Sequence, residues 1–233
     1  FVAFRGTDTT LVGWKEDFNM AFICPVPAQL SAVKYLERIA AGTDGALILG
    51  GHSKGGNLAV YAGAFCSEAA QQILDQAGYD AICPRVRTFV PQSSVVGMLL
   101  GHEEQYTVVH SQETGLTQHN IYTWDVERES LSYLDTVTHG SRFIDRTLKD
   151  WLAGMSVEQR AVLVDTVYEV MQQTGARTVP ELKANWFGST RAMIRAAGAL
   201  NEDDRRSVMR MLRLLMQSAI GELSGADKET SKA

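Results

Sequence analysis

The run Gly51-His52-Ser53-Lys54-Gly55 sets a serine midway between two glycines, the pattern of a nucleophile held on a sharp strand-to-helix turn. Glycine suits the flanking positions because strand and helix backbones pass close to each other there. A helix starting just beyond the serine aims unpaired N–H groups and the positive end of its dipole at any oxyanion formed on it. The chemistry expected is attack of Ser53 on an acyl carbon, with the Lys54 amide as one oxyanion donor. A phosphate-binding turn built on Gly50-Gly51 and Gly55-Gly56 is the bland alternative, but neither GxxxxGK[ST] nor GxGxxG spacing is present, since Lys54 precedes Gly55.

A second oxyanion donor is needed, and Arg5-Gly6-Thr7-Asp8 offers one. If the strand before it lies beside the Ser53 strand, the amide and hydroxyl of Thr7 both face the developing charge. The competing reading is a polar turn with Asp8 or Thr9 as a helix cap. A serine hydroxyl also needs a base, and the chain has 5 histidines. His52 abuts the nucleophile, and its side chain is expected to point away from Oγ. His110 falls in a strand pattern, His139 at the boundary with a helical half, and His102 before Glu103-Glu104 at what reads as a solvated helix end. His119 is the best candidate, in the loop between the strands Tyr106 to His110 and Ile121 to Val126 and late in the domain, as the order Ser, acid, His requires. Its alternative is a polar loop histidine with local hydrogen bonds only. For the acid, Asp80, Asp125, Asp135 and the Glu103-Glu104 pair are available, each reading better as a surface or capping residue.

The elements that must position these residues alternate in the first half. Phe1 to Phe4 is strand-like; Trp14, Phe18, Ala21 and Phe22 recur at helical spacing. A helix follows from Pro27 to Ala41 with Leu30, Val33, Tyr35, Leu36 and Ile39 as its apolar stripe. Ala46 to Leu49 reads as a strand buried on both faces, and a helix runs from the glycines to Cys66. After a helix around Ser67 to Gln76, strands are expected at Val86 to Val90, Tyr106 to His110, Asn120 to Val126 and Ser130 to Leu134. The last two form a hairpin about Glu127-Arg128-Glu129. From Ser141 the pattern turns to amphipathic helices over Arg142 to Leu152, Val157 to Thr174, Val179 to Ala199 and Glu202 to Leu223. The expected organisation is a core at 1–140, a helical extension or cap at 141–224 and a disordered tail at 225–233.

Composition narrows the partners. A net charge of −5 with dispersed Lys and Arg argues against nucleic-acid binding. No HExxH or closely spaced set of His and carboxylates points to a metal, and no cofactor is expected. Three unpaired cysteines, Cys24, Cys66 and Cys83, suit a reducing compartment, hence a cytoplasmic location, and no run nears the roughly 18 apolar residues that span a bilayer. The chain opens without Met on what reads as a strand in progress, so an upstream extension is expected. The Met and Leu stripe of Met209, Met211, Leu212, Leu214, Leu215 and Met216 reads as core-facing or partner-facing, or as a lid over an acyl chain.

Phe4-Arg5-Gly6-Thr7 with Trp14 and Asp17, followed by Gly51 to Asn57, resembles the class 3 (fungal-type) lipases, and still more an uncharacterised bacterial family of lipase-like α/β hydrolases. The run Val90 to Leu100, Gln118-His119-Asn120 and Trp124 look typical of that bacterial group, so the resemblance spans roughly residues 1–150. It implies an α/β-hydrolase fold with a mostly parallel sheet, an oxyanion role for Thr7, and esterase or lipase-like action on a small-molecule or lipid ester. Two departures stand out: members usually carry a further strand between the nucleophile helix and the segment from Tyr79 to Val90, and the lipase aspartate falls where this chain has Ser93 to Val96. Ser94 takes that place as the residue that would orient His119. The alternative function is a non-catalytic scaffold binding a protein partner or membrane surface through its helical half, which the missing strand and acid favour.

Overall fold

The computed structural model describes residues 1–8, 10–20, 22–66, 76–94, 104–113, 115–142, 149, 153–178, 181, 184, 188, 191–192, 195, 198, 202–203 and 205–210. Strands β1 (Val2–Phe4) and, after two helices, β2 (Leu49–Gly51) pair in parallel, with Val2 opposite Leu49 and Phe4 opposite Gly51. The intervening helices are α1 (Leu11–Asn19) and α2 (Pro27–Ala40), and α3 (Lys54–Phe65) leaves β2 through the Ser53 turn. Val2 and Phe4 of β1, Ala32, Val33 and Leu36 of α2, and Leu58, Ala59, Tyr61 and Ala62 of α3 form one buried cluster. Strand pair, helix α2 and elbow helix thus share a core, which fixes where Ser53 stands.

Helix α2 begins at Pro27, whose fixed φ suits a first helical position. Its buried face is Gln29, Ala32, Val33 and Leu36, while Leu30 and Tyr35 of the expected stripe are exposed. Gln29 explains the rotation: its Oε1 accepts from the Val26 amide at 2.8 Å and its Nε2 donates to Asn57 Oδ1 at 2.8 Å, so a polar side chain is held inward to join α2 to α3. The expected strand at Ala46 to Leu49 begins three residues later, at Leu49, and ends two later, at Gly51, and Ile48 is 67% exposed instead of buried on both faces. Among the described residues β2 has β1 on one side and no strand on the other.

Helix α4 (Gln76–Ile82) and a 3-10 turn at Cys83–Arg85 lead to β3 (Thr88–Pro91), parallel to β4 (Tyr106–Val109). Strands β5 (Val126–Glu127) and β6 (Ser130–Leu131) make the expected hairpin, with Arg128 at φ 59° in its two-residue turn. The expected strand from Ser130 to Leu134 breaks at Ser132: β6 serves the hairpin, and β7 (Tyr133–Leu134) pairs antiparallel with β4. Asn120 to Val126 is no strand. It follows a 3-10 turn at Gly115–His119 and continues as a second at Ile121–Thr123, reaching β5 only at Val126. Local bonds explain this: Asn120 Oδ1 accepts from the Tyr122 amide at 3.1 Å, and Thr123 Oγ1 donates to the Asn120 carbonyl at 2.7 Å. Such side-chain bonds offer the backbone a turn in place of a ladder.

Helix α5 (Val157–Gln172) begins at a capping box, Ser156 Oγ accepting from the Gln159 amide and Gln159 Oε1 from the Ser156 amide. Its Leu163 and Val167 pack with Val208 and, from α1, Phe18. The Leu11 amide at the head of α1 donates to the Arg177 carbonyl at 2.9 Å. Residues 181, 184, 188, 191–192, 195, 198, 202–203 and 205–210 are helical. The expected helix from Ser67 to Gln76 save its last residue, nearly all of that from Arg142 to Leu152, His102, the Met and Leu stripe past Met209 and the tail lie outside the described residues. Among those described, no helix is long and apolar enough to cross a membrane, and no three His, Cys, Asp or Glu side chains gather as a metal site. The three cysteines are free thiols.

Candidate active site

Ser53 has φ 58° and ψ −128°, a backbone conformation that is essentially glycine's. The chain holds it there by over-determining everything around it. A Cβ built on Gly51 would lie 2.2 Å from the Gly55 carbonyl carbon, and one on Gly55 would lie 2.1 Å from the Phe4 carbonyl oxygen. Strand β2, helix α3 and strand β1 therefore meet with no room for a side chain. The amides of Gly55, Gly56 and Asn57 are consumed by the carbonyls of His52 and Ser53, whereas the Lys54 amide donates to no acceptor among the described residues.

The β1 strand does lie beside the serine's strand, and its continuation runs over the elbow: a Cβ on Gly6 would meet the His52 carbonyl oxygen at 2.5 Å. Thr7 is thereby brought next to the turn. Its amide, too, has no acceptor among the described residues, but its hydroxyl does not face the turn as expected. Thr7 Oγ1 donates to the Asp17 carboxylate, 2.6 Å from Oδ1. Asp17 also faces the Lys54 ammonium at 3.4 Å, and Lys54 Nζ donates to Glu16 Oε2. Burial pushes the Asp17 carboxyl above the usual carboxylate range, against the pull of the Thr7 hydroxyl and the Lys54 charge. The helix cap is not Asp8, and Thr9 lies outside the described residues. Thr10 caps α1, accepting from the Gly13 amide at 3.1 Å, while Asp8 accepts from Thr10 and so supports the cap from outside.

His119 stands at the end of its 3-10 turn with its ring 4.8 Å, centroid to centroid, from that of His52. His52 Nε2 donates to the His119 carbonyl at 2.7 Å. The residue before Ser53 is thus bonded to the loop that carries the candidate base. No hydrogen bond joins Ser53 Oγ to the His119 ring among the described residues, and no carboxylate there contacts that ring. Burial, and secondarily the His52 charge, lower the His119 pKa to about 4, so the imidazole is neutral at pH 7.

Ser94 is buried in the turn after β3, and its carbonyl accepts from Ser141 Oγ. The turn reaches the His119 loop through its neighbour: the Ser93 amide donates to Oε1 of the fully buried Gln118 at 3.0 Å. Trp124 Nε1 donates to the Gln118 carbonyl at 2.8 Å and closes the loop from the other side. The described histidine–carboxylate pair is elsewhere. His110 Nδ1 is 2.6 Å from Asp125 Oδ2, just past the end of β4 and partly exposed. The sequence presents the two residues separately and not as a pair; their shared signal is weak, because they stand 15 positions apart across loop and 3-10 turn.

A strand, a serine with positive φ and a helix, with glycines at both close approaches, make a sharp strand-to-helix elbow at Ser53. The family model of the Mbeg1-like proteins, a lipase-like family, matches residues 1–169, and the chain belongs to that family. The match crosses the boundary expected at residue 140 and runs into α5. No curated protein and no solved structure matches the chain.

Proposed function

We propose that the chain is a serine hydrolase of α/β-hydrolase type that cleaves a carboxylic ester through an acyl-enzyme on Ser53. The backbone of Ser53 carries this reading. Strain of that kind, on the order of 1–3 kcal/mol, persists where the surrounding structure enforces it, and it lifts Oγ clear of both backbones. His119 acts as base and then as acid, the amides of Thr7 and Lys54 receive the oxyanion, and Ser94 orients the imidazole. Closure of the last gap between Ser53 Oγ and His119 accompanies substrate binding, since catalytic hydrogen bonds are often long in the free enzyme. A fluorophosphonate probe is expected to label Ser53 in folded protein and to leave Ser53→Ala unlabelled. Absence of an adduct in folded protein would sink the proposal.

The pH profile supplies a separate test. A base with a pKa of about 4 is fully deprotonated at neutral pH, so kcat/KM is expected to hold level down to about pH 5 and to fall as pH drops through about 4. Stability moves the same way. The folded pKa lies below the unfolded value of about 6.5, so protons favour the unfolded chain, and His119 subtracts stability as pH falls from about 6.5 toward 4. Replacing His119 by Gln should flatten that part of a stability-against-pH curve measured by urea melts.

A scaffold remains the second reading, favoured by one observation: β2 has a neighbouring strand on one side only among the described residues, and the β3–β4–β7 sheet is separate from it. Labelling of Ser53 decides against a scaffold.

A further inference from the structure

We infer that the Lys54 side chain is a positioning residue, which together with Glu16 ties both oxyanion donors to helix α1. The inference rests on the reading that the Thr7 and Lys54 amides receive the oxyanion. Lys54 follows the nucleophile directly, yet its side chain is only 8% exposed. An ammonium withdrawn from water is costly unless it is paired in good geometry, so such a side chain has few alternative positions. Here the pairing spans 38 residues of sequence: Nζ donates to Glu16 Oε2 and lies 3.4 Å from Asp17 Oδ1.

Those two carboxylates hold more than the lysine. Asp17 takes the Thr7 hydroxyl at 2.6 Å, and Glu16 Oε1 accepts from the Ala28 amide at the head of α2 at 3.3 Å. One donor is therefore fixed through its own side chain and the other through the threonine hydroxyl, and both lines end on adjacent residues of α1. An oxyanion hole acts by being preorganised, and a displacement of about 1 Å can cost on the order of a hundredfold in rate. Two donors from separate strand ends keep a fixed spacing because one helix grips both.

Helix α1 is itself gripped from behind. Lys15 Nζ is 2.7 Å from Asp165 Oδ1 on α5 and lies 4.9 Å above the Tyr168 ring, and the Leu11 amide bonds to Arg177. The helical half reaches the catalytic turn through α1.

The test is ester hydrolysis with p-nitrophenyl butyrate, expressed as kcat per serine titrated by the fluorophosphonate, so that unfolded protein is not counted. Lys54→Met keeps the length and loses the charge; its kcat per titrated site is expected to fall about tenfold or more with KM within about twofold. Glu16→Gln should fall similarly, and the double variant should lose little more than either single one, because the pair acts as a unit. Lys54→Arg should restore part of the rate. Wild-type turnover with kcat per titrated site unchanged in both Lys54→Met and Glu16→Gln overturns the clasp and leaves the hydrolase reading standing. Should Lys54→Met fail to fold, Glu16→Gln and Lys54→Arg decide by the same measure. A wild-type protein that neither labels nor turns over overturns both.

Discussion

Replacing Ser53 by glycine is expected to abolish ester turnover and to raise the stability of the fold by about 1 kcal/mol. The first half follows from chemistry: without Oγ no acyl-enzyme forms, and the loss in kcat should be on the order of 10⁴-fold or more. The second half follows from φ 58° and ψ −128°. A residue with a Cβ spends on the order of 1–3 kcal/mol to sit there, glycine far less. Against that gain stands the extra freedom glycine gives the unfolded chain, roughly 0.5–1 kcal/mol, which leaves the net near 1. Urea melts of wild type, Ser53→Gly and Ser53→Ala read the balance. Ser53→Ala removes the same hydroxyl but keeps the Cβ, so it should lose turnover without the gain. Equal stability of all three variants would remove strain as the mark of the elbow, and with it the observation that carries the proposed function.

The elbow was legible in the sequence because it is local: strand, Gly51, Ser53, Gly55 and helix follow one another without a gap, and α3 begins at Lys54 as the glycines suggest. Helix α5 was legible for the same reason, its apolar residues recurring every three or four positions up to Gln172. Failures arose where tertiary contacts or local side-chain bonds outweigh pattern. Ile121, Tyr122 and Trp124 are good strand formers, yet the Asn120 and Thr123 side chains satisfy the backbone first, and Tyr122 is left 91% exposed. The inner face of α2 was misjudged because a glutamine takes a core position. Glu16 gave no sign of its contact with Lys54, since nothing in a sequence says that a residue on the first helix will meet one beside Ser53. The neighbourhood of Thr7 and Ser53 rests, in the sequence, on the condition that their strands lie side by side and largely on resemblance; the parallel pairing of Phe4 with Gly51 supplies its physical basis.

That pairing also makes Gly55→Ala a severely damaging single methyl. The new Cβ would stand 2.1 Å from the Phe4 carbonyl oxygen and 2.9 Å from both the Arg5 carbonyl carbon and the Gly6 nitrogen. Ordinary contact between such atoms needs more than 3 Å, and every atom met is backbone, so no rotamer change relieves the clash. Either α3 moves off β1 by about 1 Å or β1 gives way, and both open the cluster of Phe4, Leu58 and Ala62. A loss of about 3 kcal/mol or more is expected, measured as the shift in urea midpoint at constant slope. Gly63→Ala, one residue past Ala62 on the same helix, is the comparison: its Cβ would meet the flexible Leu49 Cδ1 at 3.3 Å and Ile82 Cδ1 at 3.8 Å, both side-chain ends, and the helix gains roughly 1 kcal/mol of propensity. The two glycines therefore carry opposite predictions on one helix. A Gly55→Ala protein as stable as wild type would mean that α3 does not pass against β1 this closely, and Thr7 would then lose its place beside the serine. A destabilised Gly55→Ala beside an unharmed Gly63→Ala locates the constraint in the crossing of helix and strand at the elbow.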